Sequence, residues 1–317
     1  MARYLVTGAA GFIGSALVHA LLERGEQVRG VDNLSTGRME NIAGVLPRFD
    51  FHRDDLCDPK VCARACEGVD YIFHEAALAS VPRSVKNPVE SNSANVDATV
   101  NLLVAARDAK VKRVVYAGSS SAYGDTPTLP KREDMLPRPQ SPYAVSKLAG
   151  ELYMAAFYRV YAIETVTIRY FNVFGPRQDP NSPYSAVLAK FITQMLQGEQ
   201  PTIFGDGEQS RDFTYIDNVV SANLAACHAP SEKVAGRVFN VATGKRFSLN
   251  RTVEILAEIT GYRGKPQYGP ERAGDVKHSQ ADIAAAQEAF DYRPLVSFED
   301  GLRRTVDWYR HTQRAAQ

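Results

Sequence analysis

The sequence predicts an α/β protein: a doubly wound parallel sheet with a smaller mixed α/β lobe. Three observations carry that expectation. Short apolar runs alternate with helix-periodic segments through the first half of the 317 residues. A glycine-rich loop, Thr7-Gly8-Ala9-Ala10-Gly11-Phe12-Ile13-Gly14, separates the first strand from the first helix. Beyond about Pro176 the alternation gives way to loops, prolines and short helices.

The elements read in order as follows. Residues 4–6 form a strand and residues 13–23 a helix, with Ile13, Leu17, Ala20 and Leu21 on one face. Residues 27–31 form a second strand, a short strand precedes Asp55-Leu56, and residues 69–73 form another. Helix 95–109 leads to strand 113–117, and helix 144–161 leads to strand 165–170. Strands alternating with helices predict a parallel sheet covered on both faces. The later helices are placed at 186–197, 249–260 and 282–289, and segment 213–241 holds a helix followed by the strand 237–241.

Composition narrows the function classes. Hydrophobic residues make up 44% and charged residues 23%, and the formal net charge is +1. No general field attracts nucleic acid or an anionic membrane, so a charged ligand must be bound locally. The segment MARYLVTGAAGFIG is expected not to be a secretory signal, because its apolar run is short and broken by glycines. No apolar run reaches bilayer length. Cys57, Cys62, Cys66 and Cys227 match no zinc spacing and no metal is expected; they read as helix-borne free thiols in a reducing cytoplasm.

The glycine loop has a physical logic. Gly8 permits a tight turn, Gly11 lets backbone approach a pyrophosphate, and Gly14 lets helix and strand pack closely. The following helix offers free N–H groups and a positive dipole end to phosphate, with Phe12 and Ile13 in its first turn. Asp32 ends the next strand, where an acid binds ribose hydroxyls and repels a 2′-phosphate. NAD is therefore favoured over NADP, although Arg38 is near in sequence. Asp55-Leu56 is a candidate for the adenine edge; an aspartate in a turn is also a common structural device. Residues 1–175 are read as an NAD-binding Rossmann domain to which 213–242 returns, and 176–212 and 243–317 as a substrate lobe.

Tyr143 and Lys147 lie four residues apart at a helix start marked by Ser141-Pro142, so they share a face. An ammonium beside a phenol favours the phenolate, and a cationic nicotinamide would favour it further. The plain alternative is an ordinary amphipathic helix; the dinucleotide loop makes an acid/base centre the better reading. Strand 113–117 runs into Gly118-Ser119-Ser120-Ser121, hydroxyls at a strand's carboxyl end where ligands of open parallel sheets bind.

Taken together these residues resemble the extended short-chain dehydrogenase/reductases, over nearly the whole chain. The matching elements are TGAAGFIG, the HEAA segment from His74 to Ala77, Asn95, the serine-rich strand end, Tyr143 with Lys147, and Arg169-Tyr170-Phe171-Asn172. Gly205-Asp206-Gly207, Ser210-Arg211-Asp212-Phe213 and Arg272-Ala273-Gly274-Asp275 match as well. The resemblance implies cofactor contacts from Asn33, Ala76, Ala77, Asn95 and Tyr170, and Phe171 either near the nicotinamide or in the core. It makes Ser119, Tyr143 and Lys147 the catalytic set.

Relatives that dehydrate or decarboxylate carry an acid after the catalytic hydroxyl, whereas this chain has Ser120 and Ser121. Removing a C5 proton and expelling a hydroxyl needs that extra group. The pattern is therefore similar to that of UDP-hexose 4-epimerases, and most to bacterial epimerases of N-acetylated UDP-sugars, with Ser80 and Arg83 in the segment ASVPRS. Ser279 matches a position whose small size admits a 2-acetamido group. Arg211 and Arg272 are candidates for the diphosphate, and Asn172 and Asp275 for substrate contact. The resemblance implies tightly bound NAD, a UDP-sugar substrate and a homodimer pairing the Asn95 and Tyr143 helices. Three alternatives stay open: a UDP-uronic acid 4-epimerase with Arg83 on the C6 carboxylate, an NAD(P)-dependent nucleotide-sugar reductase, and a silent NAD-binding regulator.

Overall fold

Seven strands, all parallel, make one sheet in the computed structural model, which describes residues 1–180, 187–271 and 276–315. The strands are β1 (Arg3–Thr7), β2 (Gln27–Val31), β3 (Asp50–His52), β4 (Tyr71–His74), β5 (Arg113–Ser119), β6 (Glu164–Tyr170) and an edge strand, Arg237–Val241. Their spatial order is Arg237–Val241, β6, β5, β4, β1, β2, β3. The order reverses at β1: the chain runs outward through β2 and β3 on one side and through β4 to β6 on the other. The carboxyl ends of β1 and β4 therefore flank a topological switch point, where such sheets open a crevice.

Both faces of the sheet are covered. Helices of the first 161 residues are α1 (Phe12–Glu23), α2 (Pro59–Cys66), α3 (Val81–Lys86), α4 (Pro88–Asn92), α5 (Ala98–Asp108) and α6 (Pro142–Tyr161). Side chains alternate along each strand. Tyr4, Val6, Phe73, Val115 and Ile168 share one core with Leu17 and Leu21 of α1 and with Val219 of the helix Ile216–His228. Leu5, Ile72 and Val114 pack on the opposite face with Cys62 of α2, Leu102 of α5 and Met154 of α6. Each such fully buried aliphatic side chain contributes about 1.5–3 kcal/mol. The fold is thus the expected Rossmann-type α/β arrangement.

Local capping sets where the helices begin. Ser141 accepts a hydrogen bond from Ala144 N–H at 3.1 Å with Pro142 in the first turn, so α6 starts two residues before the apolar pattern does. The expected start at Asn95 is replaced by a π-helical turn, Ser93–Asp97, that runs into α5. Cys62 and Cys66 are on α2 and Cys227 is on Ile216–His228, all as free thiols; Cys57 is not helix-borne but lies in the turn before α2.

The remaining chain makes three two-stranded ladders, Val173–Phe174 with Thr214–Tyr215, Ser210–Arg211 with Phe247–Ser248, and Thr202–Phe204 with Gln267–Gly269. Helices Val187–Leu196, Leu249–Thr260 and Phe298–Ala315 surround them. Phe174, Phe213, Phe247 and Phe298 form an aromatic core here, with Phe213 and Phe298 stacked at 5.1 Å. Buried Asp212 ties segments together: it accepts from Thr243 N, Thr243 Oγ1, Gly244 N and Ala281 N. Among the described residues no helix is long and apolar enough to cross a membrane.

Candidate active site

The crevice at the switch point is a cavity of about 720 Å³. Gly8, Gly11, Phe12, Ile13 and Gly14 line its floor. Gly8 has φ +65°, and a Cβ there would come within 2.9 Å of Ala76 N. A Cβ on Gly14 would lie 2.0 Å from the carbonyl oxygen of Gly8. Gly14 therefore packs against the loop's own turn, where close packing against a strand had been expected. No side chain caps α1, so its first N–H groups remain open to an anion.

Asp32 is buried at the end of β2. Its Oδ2 accepts from Ala10 N at 2.9 Å and its Oδ1 from Leu34 N at 2.7 Å. Burial pushes its carboxyl above the ordinary range, and the backbone donors oppose that shift. Asn33, Asp55 and Leu56 line the next part of the wall. Asp55 accepts from Asn33 Nδ2 at 2.9 Å and from Cys57 N at 2.8 Å, so it is at once a turn residue and a cavity residue. Ala76 and Ala77 line the opposite wall. Asn95 does not line the cavity: it is buried, accepts from Leu78 N at 2.7 Å and donates to Ser146 Oγ at 2.9 Å. It holds the loop after β4 against α6, between Ala94 and Ala98, which do line the cavity. A cradle that a Cβ would fill, an uncapped helix start and a sequestered acid together fit a dinucleotide.

Tyr143, Lys147 and Tyr170 stand at the far end of the same cavity, beside Gly118. The Ser119 hydroxyl is the hydrogen-bonding group that draws the Tyr143 pKa down, but burial outweighs it and the net shift is upward. Lys147 is also buried, and loss of solvent pushes it down to about 8, against the pull of Glu75. Its ammonium lies 4.2 Å from the centre of the Tyr116 ring. The expectation that Lys147 by itself favours the phenolate is thus not met, because burial penalises both charged forms. Ser119 and Ser121 hydroxyls pair at 2.8 Å, and Ser120 and Ser121 belong to the short turn Ser120–Tyr123.

Glu75, in the HEAA segment, also lines the cavity with this pair. Its Oε1 accepts from Tyr170 Oη at 2.8 Å, and Tyr170 Oη also pairs with the Asn223 amide. Burial pushes its carboxyl up to about 7, with Tyr170 and Lys147 opposing. Its signals in the sequence are its place in the HEAA segment of the family resemblance and an acid among small residues after an apolar strand.

A second cavity, of about 220 Å³, is lined by Asn172, Phe204, Arg211, Phe213 and Leu249. Asn172 takes a left-handed backbone, φ 36°, and its Nδ2 donates to Asp212 O at 3.1 Å. Arg211 donates to the carbonyls of Ser210 and Lys277. Ser279 lies nearby through its N–H to Ser210 O at 2.9 Å. Phe171 is in the core with Tyr123, Ala242 and Ala281. Ser80 is nearly buried and caps α3, accepting from Arg83 N at 3.1 Å. Arg83 lines the first cavity, with its guanidinium on Glu90 at 2.5 Å. Arg272 and Asp275 lie outside the described residues.

The family model for the NAD dependent epimerase/dehydratase family matches residues 4–242. The chain is 40% identical to a UDP-glucose 4-epimerase of Mycolicibacterium smegmatis, over 98% of this chain and 99% of that one. A UDP-N-acetylglucosamine 4-epimerase from Methanobrevibacter ruminantium, solved with UDP-N-acetylmuramic acid, superposes with a TM-score of 0.92 at 42% identity, covering 98% and 99% of the two chains. A UDP-glucuronic acid 4-epimerase from Bacillus cereus, solved with UDP-glucuronic acid and NAD, gives 0.90 at 34% identity over 98% and 99%.

Proposed function

The chain belongs to the NAD-dependent epimerase/dehydratase family, and from that membership we propose that it is a redox-neutral UDP-hexose 4-epimerase that interconverts UDP-N-acetylglucosamine and UDP-N-acetylgalactosamine. The observation that carries this reading is Tyr143 with Lys147 on the wall of the dinucleotide cavity beside Gly118, after which come Ser119 at the end of β5 and two serines where dehydration would need an acid. Ser279, small at the position that the resemblance links to the size of the sugar pocket, supports a 2-acetamido substrate and does not exclude UDP-glucose.

NAD, when bound, supplies the hydride acceptor and donor for the sugar C4. The protein moves the proton at sugar O4: Tyr143 takes it and later returns it, and Ser119 orients the hydroxyl. Lys147 supplies positive charge, and because burial raises the Tyr143 pKa, a cationic nicotinamide beside it would favour the phenolate further. Arg211 and Asn172, on the second cavity, are assigned to the UDP portion. Because the cofactor ends each cycle unchanged, it stays bound.

A uronic acid substrate is the second reading, favoured by Arg83 on the cavity wall. That guanidinium is already held by Glu90, so a C6 carboxylate would have to compete for it. We also propose the homodimer pairing the Asn95 and Tyr143 helices; on the latter, α6, Leu152 and Val160 expose 62 and 69% of their surface, and Val85 and Val89 of the neighbouring α3 and α4 are exposed as well.

Purified protein is incubated with UDP-N-acetylglucosamine, without added cofactor, and the sugars are separated. The expected result is UDP-N-acetylgalactosamine at equilibrium without net NADH, and a Tyr143→Phe variant slower by about 10²–10⁴-fold. Conversion of UDP-glucuronate alone would favour the second reading. No conversion of any UDP-hexose, even with NAD added, would sink the epimerase assignment.

A further inference from the structure

Arg38 and Asp179 meet across the mouth of the dinucleotide cavity, which both line, from points 141 residues apart. Arg38 Nη2 and Asp179 Oδ2 are 2.7 Å apart. Each end is anchored by its own surroundings. Arg38 N–H donates to Ala10 O in the phosphate loop at 2.9 Å. The preceding residue, Gly37, packs so close to Asp32 that a Cβ would fall 2.6 Å from its Oδ2. The backbone of Arg38 is therefore fixed beside the acid at the end of β2, while its guanidinium reaches out to Asp179. On the other side, Tyr309 Oη donates to Gln178 O, and Gln178 Nε2 donates to Val173 O at 3.2 Å. Asp179 thus projects from a braced loop.

We propose that Asp179 is a cofactor-discriminating residue, which engages Arg38 as an ion pair and so withholds from a 2′-phosphorylated dinucleotide the cation it would need. This rests on NAD as the resident dinucleotide. The chemistry is one of competing anions. An acid after the second strand favours free ribose hydroxyls, and an arginine nearby accommodates a 2′-phosphate. This chain has both, so Asp32 favours NAD while Arg38 offers a 2′-phosphate a partner. Asp179 removes that partner: with its carboxylate on Arg38, an incoming phosphate dianion meets Asp32 and a guanidinium already neutralised. Without that carboxylate, Arg38 keeps its place beside the ribose and presents a fork suited to phosphate oxygens.

The test reads bound dinucleotide, not turnover. Purified protein is exchanged against an equal excess of NAD and NADP and desalted, and the dinucleotide released on denaturation is separated and quantified. Wild type is expected to retain NAD almost alone. Asp179→Asn is expected to raise the NADP-to-NAD ratio by about tenfold or more, a factor that corresponds to about 1.4 kcal/mol. Adding Arg38→Gln to Asp179→Asn should return the ratio to the wild-type value, and Asp179→Glu should keep it there. Asp179→Ser replaces the asparagine variant if that one does not fold. An unchanged ratio in the variant lacking the carboxylate overturns the inference. So does a gain that survives loss of Arg38, because the effect would then be simple removal of negative charge. Wild-type protein that retains neither dinucleotide would overturn the NAD reading itself, and a wild type loaded with NAD but inert toward sugars would leave the inference standing.

Discussion

Glu75 and Lys147 share a wall of the cavity, and each alters the other's charge. The native carboxyl is raised by burial from 4.5 to about 7, and Lys147 is lowered by burial to about 8. A raised carboxyl stabilises most below its unfolded pKa, and that stability is lost as pH rises toward 7. Glu75→Gln should therefore gain thermal stability relative to wild type at pH 8 and little at pH 5. The ionised Glu75 also supports the Lys147 ammonium, so the variant should lose kcat on the alkaline side at a lower pH than wild type does. Superimposable pH–rate profiles would remove Glu75 from the account. The neighbouring Tyr170, Tyr116 and Tyr143 are all raised by burial and stay protonated through this window, and burial with the Lys147 charge keeps His74 neutral. Sequence alone separates Tyr143 from Lys147 by one helical turn and makes them legible as a pair. Glu75 and Tyr170 are 95 residues apart, and Arg38 and Asp179 are 141 apart; no periodicity records such meetings.

At the scale of elements, the turn from β1 into α1 is the tightest packing in the site. Gly14→Ala would push a methyl against the carbonyl of Gly8, and neither backbone has room to give. The expected loss is about 1–3 kcal/mol, seen as a lower Tm together with lower NAD content. Gly44→Ala is the matched control, because nothing lies within 4 Å of its added Cβ and its Tm should hardly move. If both variants melted alike, steric packing would not be the reason for Gly14. This turn and the strands beside it were readable because strands buried on both faces are continuous apolar runs, bounded by glycine. Helices α3 and α4 were not, being short and polar, with their apolar valines turned outward. Phe298–Ala315 also escaped, since its buried residues are sparse among charges and its packing partners lie on other elements.

For the molecule as a whole, the exposed row on α6 makes the assembly testable. Val145, Leu152, Tyr153 and Val160 follow one outward helical stripe, and Val85 and Val89 extend it. Light scattering on a size-exclusion column should give twice the chain mass, and Leu152→Glu should halve it. A wild-type monomer at micromolar concentration would refute the assignment. The fold class was legible at this scale, but the outward stripe was not, because an exposed helix face and a buried one share the same period.

Arg113 on β5 points to an order of events during synthesis. Its guanidinium binds Glu164 and the carbonyls of Ala226, Cys227 and Ala229 at the end of a helix. Strand β6 likewise finds its outer neighbour only at Arg237–Val241. A nascent chain that has emerged to residue 170 therefore carries an unpaired strand edge and an Arg113 guanidinium that has Glu164 but still lacks its three carbonyl acceptors. Translation at about 5–20 residues per second leaves that edge waiting roughly 4 to 14 s for residue 241. In that interval the growing polypeptide is most open to chaperones and to mispairing with its neighbours on the same message.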